Sequence, residues 1–129
     1  MPAQNPTSTL LIVLAGLLGA SGVSMAALAA HVSDSTALRA AAEMAMVHAA
    51  AGIGLTAFSM HTSRAGTWTF VAGALLVGAA LFSGTVALGV LADFRPLPVL
   101  APIGGVLTIL SWIAVALLAL WQFVTTVKQ

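Results

Sequence analysis

Apolar and polar positions divide the chain into four long apolar runs separated by three short polar breaks. The first run covers residues 9–30 and contains no proline. Residues 1–8 before it are polar, carry Pro2 and Pro6, and read as an extended tail from which Thr7, Ser8 or Thr9 caps the first helix. The first break is His31-Val-Ser-Asp-Ser35, and Ser33, Asp34, Ser35 and Thr36 are all candidate caps for the second helix, over 36–60. His61-Thr-Ser-Arg-Ala-Gly66 forms the second break, followed by a helix over 67–91 with Trp68 as an interfacial anchor near its start. Asp93, Arg95 and three prolines, Pro96, Pro98 and Pro102, mark the third break. The fourth helix spans 101–124, with Pro102 in the first turn, where proline is tolerated, and Trp121 near the end.

Each run is long enough to cross a bilayer at about 20 residues per span. Each is also apolar on all sides, which distinguishes it from an amphipathic surface helix. Short connections force neighbouring helices antiparallel. The predicted fold is therefore a single all-α membrane domain, an up-down-up-down bundle of four transmembrane helices. The Leu10–Ala30 run is longer than a signal-peptide core and no Lys or Arg precedes it, so it is expected to be retained.

Composition supports lipid as the surrounding solvent. Of 129 residues 60% are hydrophobic and 5% charged, against about a quarter charged in soluble domains. Four Lys and Arg in total form no basic patch, which argues against nucleic acid as a partner. The absence of cysteine excludes disulfides, thiolate metal sites and a cysteine nucleophile. Orientation is a tie by cation count: Arg64 and Lys128 on the side of the termini, Arg39 and Arg95 on the other. The expectation adopted is that both termini are cytoplasmic.

Small residues are frequent in every span, including Gly16, Gly19 and Gly22, Gly52 and Gly54, Gly73, Gly78, Ser83 and Gly84, and Gly104, Gly105, Thr108 and Ser111. Lipid tails are as apolar as leucine, so helices associate in the bilayer by close packing, which small residues permit. Most of these positions are expected to pack helices. Buried hydroxyls at Ser83, Thr85, Thr108 and Ser111 can bond the preceding turn or a neighbouring helix.

Ionisable groups within spans are the candidates for chemistry. Arg39 and Glu43, at i and i+4 on the second helix, are expected to form an ion pair near the headgroup layer. A proton relay through Glu43 would need further polar steps, and few lie beyond it. His48 lies about 12 residues, or roughly 18 Å, into its helix. It is expected to be neutral, with one ring nitrogen donating to a hydroxyl or carbonyl on another helix. His31 and His61 end the first two spans at opposite faces of the membrane, so the three histidines sit at three depths and no bis-histidine metal or haem site is expected within one chain. A site shared with another subunit is left open. Asp34 and Asp93 fall in turns, no nucleophile stands beside a base, and no glycine-rich phosphate loop is followed by lysine. Accordingly no catalytic residue, metal or cofactor is assigned.

Several blocks carry a family resemblance. Ala26-Ala-Leu-Ala-Ala-His31 is similar to a Gly-Ala-Phe-Gly-Ala-His signature, followed by His48, by Leu81-Phe-Ser-Gly84, and by Ala101-Pro-Ile-Gly-Gly105 with Trp112. In order and spacing these resemble the small four-helix proteins of domain-of-unknown-function family 423, including the transmembrane protein 256-like proteins. The resemblance covers nearly the whole chain. Departures are Ala26 and Ala29 in place of glycines, Met44-Ala45 in place of a Tyr-Gln pair, and Ala87 about where a tyrosine is usual. The resemblance implies a fold and a membrane location, and no reaction. The residues it marks as structural or functional candidates are His31, His48, Ser83, Gly84, Pro102, Gly104, Gly105 and Trp112, beside Arg39 and Glu43.

The resulting expectation is a non-enzymatic structural or accessory protein of the bacterial inner membrane. It would meet lipid and other integral subunits or itself. The alternative is an oligomeric transport or channel component using Glu43 and His48.

Overall fold

The computed structural model describes residues 5–94 and 98–127, and these contain four long helices and no strand. They are α1 (Pro6–Leu28), α2 (Thr36–Ser59), α3 (Ala65–Leu91) and α4 (Leu100–Val127). All four are long and apolar enough to cross a membrane. The chain is thus an integral, multi-pass, all-α membrane protein.

The helix ends follow local chemistry. α1 begins within the segment expected to be a tail: Pro6 sits in its first turn, and Asn5 Oδ1, rather than Thr7, Ser8 or Thr9, caps it by accepting from the Thr7 amide at 3.1 Å. Proline suits that position because its missing N–H has no helical acceptor there. At the other end α1 does not stop before His31. It widens into a π turn over Ala29–Ser33 and is ended by Asp34, whose φ of 42° is left-handed, a conformation that aspartate tolerates better than most residues. Ser35 Oγ then caps α2 through the Leu38 amide at 3.2 Å. Asp93 is the counterpart after α3, with φ 48°, turning the chain so that the Phe94 amide reaches the Leu88 carbonyl at 3.2 Å. Pro102 lies in the first turn of α4.

The expected Arg39–Glu43 pair does not form. The left-handed turn at Asp34 brings its carboxylate to 3.7 Å from the Arg39 guanidinium, and both groups are exposed. Glu43 is exposed and has no ion-pair partner among the described residues. Arg95 and Lys128, counted above for orientation, lie outside the described residues, as do Met1–Gln4 and Pro96.

α3 is the central helix. It packs against α1, α2 and α4, whereas α4 nowhere brings its Cα atoms within 8 Å of those of α1 or α2. Met25 of α1 and Ala29 of the π turn that follows it pack against Leu38, Ala41, Ala42 and Ala45 of α2. α1 meets α3 through Leu11 and Ala15 against Ala72 and Leu76. The bundle is therefore a three-helix core with α4 laid against one side of α3.

Candidate functional site

The contact between α3 and α4 is a crossing of two glycines. A Cβ built on Gly104 would stand 2.6 Å from both the Gly78 carbonyl oxygen and the Phe82 nitrogen. One on Gly78 would stand 2.6 Å from Thr108 Oγ1 and 2.9 Å from the Gly104 oxygen. Backbones at this separation leave no room for a methyl group, and such close approach is how apolar helices attract each other in lipid. Gly104, Thr108 and Ser111 are the buried residues of α4. The Thr108 and Ser111 hydroxyls donate to carbonyls one turn back on their own helix, Gly104 at 2.9 Å and Leu107 at 2.8 Å, so neither is left bare against α3.

Not every small residue serves this purpose. Gly105 is half-buried, and an added Cβ there would meet only Phe82 Cδ2 at an ordinary 3.8 Å. Gly84 has no atom within 4 Å of an added Cβ, and neither do Gly16 and Gly54, so these three do not bring helices together as expected. Ser83 is 1% exposed and its hydroxyl has no hydrogen-bond partner. Trp68 is also buried, not merely an interfacial anchor; its ring packs edge-on against Phe58, and its indole N–H is likewise unpartnered.

His48 and Trp112 meet across the space between α2 and α4. The His48 Nδ1 lies 2.7 Å from the Met44 carbonyl on its own helix, and Trp112 Nε1 lies 3.1 Å from His48 Nε2. A carbonyl can only accept and an indole N–H can only donate. The network therefore assigns the neutral tautomer with the proton on Nδ1, its Nε2 lone pair accepting from Trp112. The partner on another helix is an indole rather than the hydroxyl or carbonyl expected from sequence. The rings stand edge to face, centroids 6.1 Å apart.

This arrangement restricts the chemistry open to His48. Both ring nitrogens are engaged, so binding a metal at Nε2 would first require release of Trp112. His31 lies exposed in the π turn after α1, and His61 lies exposed after α2 with Nδ1 2.9 Å from the Ala57 carbonyl. No cluster of three or more His, Cys, Asp or Glu occurs among the described residues.

A second tie, which the sequence did not reveal, fastens the far end of α4. Gln122 Nε2 donates to Thr62 Oγ1 at 3.0 Å, and the Arg64 guanidinium lies 3.2 Å above the centre of the Trp121 ring. From the sequence, only the position of Trp121 near the end of the fourth span is legible.

Gly104 and Phe82 at the α3–α4 crossing, and His48, fall within the blocks noted in the sequence, whereas Gly78 and Thr108 do not. A model of the family described as protein of unknown function (DUF423) matches residues 18–105, from the middle of α1 through the paired glycines at the start of α4. The chain belongs to this family. No curated protein and no solved structure matches it. Within the DUF423 segment lie His31, His48, Ser83, Gly84, Pro102, Gly104 and Gly105, whereas Trp112, the partner of His48, lies beyond it.

Proposed function

We propose that this DUF423 protein is a non-enzymatic accessory subunit that lies against a larger integral membrane complex, with the outer face of α4 as its contact surface. The observation that carries this reading is the position of α4, an edge helix whose backbone packs closely against α3 alone. By helical spacing, Val106, Ile109, Ile113, Leu117, Leu120 and Val124 lie on the side away from Gly104, Thr108 and Ser111. All six are exposed and none is polar. The competing reading, a transport path through Glu43 and His48, gains nothing from the geometry. Four surface grooves of about 260 to 690 Å³ are lined by neither residue.

A photo-crosslinking residue at position 113 tests the proposal in native membranes. The expected result is one adduct of constant mass with another membrane protein, absent when the probe replaces Ile53 on α2. Reaction with lipid alone, or only with a second copy of the chain, would remove the basis for an accessory role.

The reading includes the bacterial inner membrane with both termini in the cytoplasm. Arg64, on the side of the termini, has no acidic partner among the described residues, whereas Arg39 on the opposite side is paired with Asp34. The absence of native cysteine makes the test direct. A membrane-impermeant maleimide on intact cells should label Ser33→Cys and leave Ser63→Cys unlabelled until lysis. The reverse pattern would invert the protein.

A further inference from the structure

Helices α1 and α4 both lean on α3 without meeting, and the gap between them is a groove of about 690 Å³. Leu11 of α1 and Leu107 of α4 form its walls, and the α3 face running from Gly66 through Gly73 to Val77 forms its floor. Its polar side chains, Asn5, Thr7 and Thr69, all belong to the first two turns of α1 and α3 or the cap before them, hence to one membrane face. The remainder is apolar.

Two features identify an occupant. The first is length. From Gly66 to Val77 the floor runs roughly 16 Å at 1.5 Å per residue, close to one leaflet of a hydrocarbon core about 30 Å thick. A transmembrane helix of a partner would need the whole span. The second is the distribution of polarity. Asn5 Oδ1 is engaged by the Thr7 amide, which leaves the Asn5 side-chain N–H groups as donors. The Thr69 hydroxyl donates to Ser59 Oγ at 3.2 Å, which leaves its oxygen as an acceptor. The Asn5 N–H groups can donate to an ester carbonyl and the apolar walls behind them suit the chain of a glycerophospholipid, whereas the Thr69 oxygen, an acceptor, makes no bond to an ester. No charged side chain lines the groove, so nothing in it selects an anionic headgroup.

We infer that this groove holds one phospholipid acyl chain as a retained ligand, with the lipid ester groups at the Asn5 end. The inference does not depend on what α4 meets on its outer face. Gly73 provides the means to test it. A Cβ there would meet only Leu11 Cδ2, at an ordinary 3.6 Å, so this glycine is not required for helix contact and a larger side chain would grow into the groove.

The experiment is native mass spectrometry of the full chain extracted from its membrane in mild detergent. The wild type is expected to carry one phospholipid per chain through detergent exchange. Gly73→Leu, and independently Val77→Phe, should lower that occupancy at least ten-fold. Gly73→Ala and Ile109→Ala should leave it within two-fold. Circular dichroism and size-exclusion profiles identify any variant that fails to fold, and either folded groove-filling variant decides the matter. A wild type without the adduct, equal retention in a folded groove-filling variant, an adduct lacking phosphorus, or a change confined to the dimer fraction would each overturn the assignment.

Discussion

Gly104→Ala is expected to destabilise the protein by about 2 kcal/mol, whereas Gly105→Ala, one residue away, is expected to leave stability unchanged or raise it slightly. The added methyl at position 104 would meet two backbone atoms of α3 at 2.6 Å, the Gly78 oxygen and the Phe82 nitrogen. Neither can rotate aside as a side chain would, so the helices must separate. Overpacking of this kind costs about 1 to 3 kcal/mol, and the upper end applies because backbone opposes backbone. Replacing glycine by alanine within a helix returns up to about 1 kcal/mol, which gives the net figure. At position 105 the same propensity gain meets no clash, since Phe82 Cδ2 stands 3.8 Å away. Gly78→Ala should resemble Gly104→Ala. The double variant should cost less than the sum, because both methyl groups force apart one contact. Unfolding in mixed micelles, followed by tryptophan fluorescence, measures all four variants. Equal effects at 104 and 105 would mean that α4 is not seated on α3 through this crossing.

That contrast also marks how far the sequence could be read. The four spans were legible because so few charged residues interrupt them, and their order forced the up-down topology. Their rotational settings were not legible. In lipid the inner and outer faces of a helix are both apolar, so periodicity does not say which face packs. Gly104 and Gly105 are thus indistinguishable in sequence but opposite in role, and Gly84 resembles a packing residue while facing open space. The start of α1 was missed although Asn5 followed by Pro6 is a capping signal, because Thr7, Ser8 and Thr9 compete for the same role. The Arg39 pairing was misassigned for another reason. Spacing along α2 favours Glu43, but the left-handed turn at Asp34 supplies a carboxylate that no helical rule anticipates. At the candidate site, the depth of His48 followed from counting residues. Its partner did not, because Trp112 lies 64 positions along the chain.

His48→Ala is expected to lower stability by about 2 kcal/mol, with a coupling of about 1 kcal/mol to Trp112→Phe in a double-mutant cycle. Within the span, this hydrogen bond is the polar tie between two helices whose backbones do not meet. Interhelical hydrogen bonds in membranes average about 0.6 kcal/mol and reach about 1.7, and the coupling should fall in that range because both nitrogens of His48 are engaged. Removing the imidazole, which is 9% exposed, also leaves a void beside α4, which accounts for the rest of the loss. Trp112→Phe alone leaves the His48 acceptor unpaired, at a cost of about 1 to 3 kcal/mol. That cost falls toward the lower limit because Trp112 is 42% exposed, so its surroundings can adjust. His48→Gln should recover part of the stability lost in His48→Ala, since its amide oxygen can accept from the indole. The cycle separates this strut from simple burial, because a purely steric role for His48 predicts no rescue by glutamine and no dependence on the indole N–H. Coupling near zero would leave α4 held by the Gly78–Gly104 crossing and the Thr62–Gln122 and Arg64–Trp121 contacts alone, and His48 would then be free to serve a ligand.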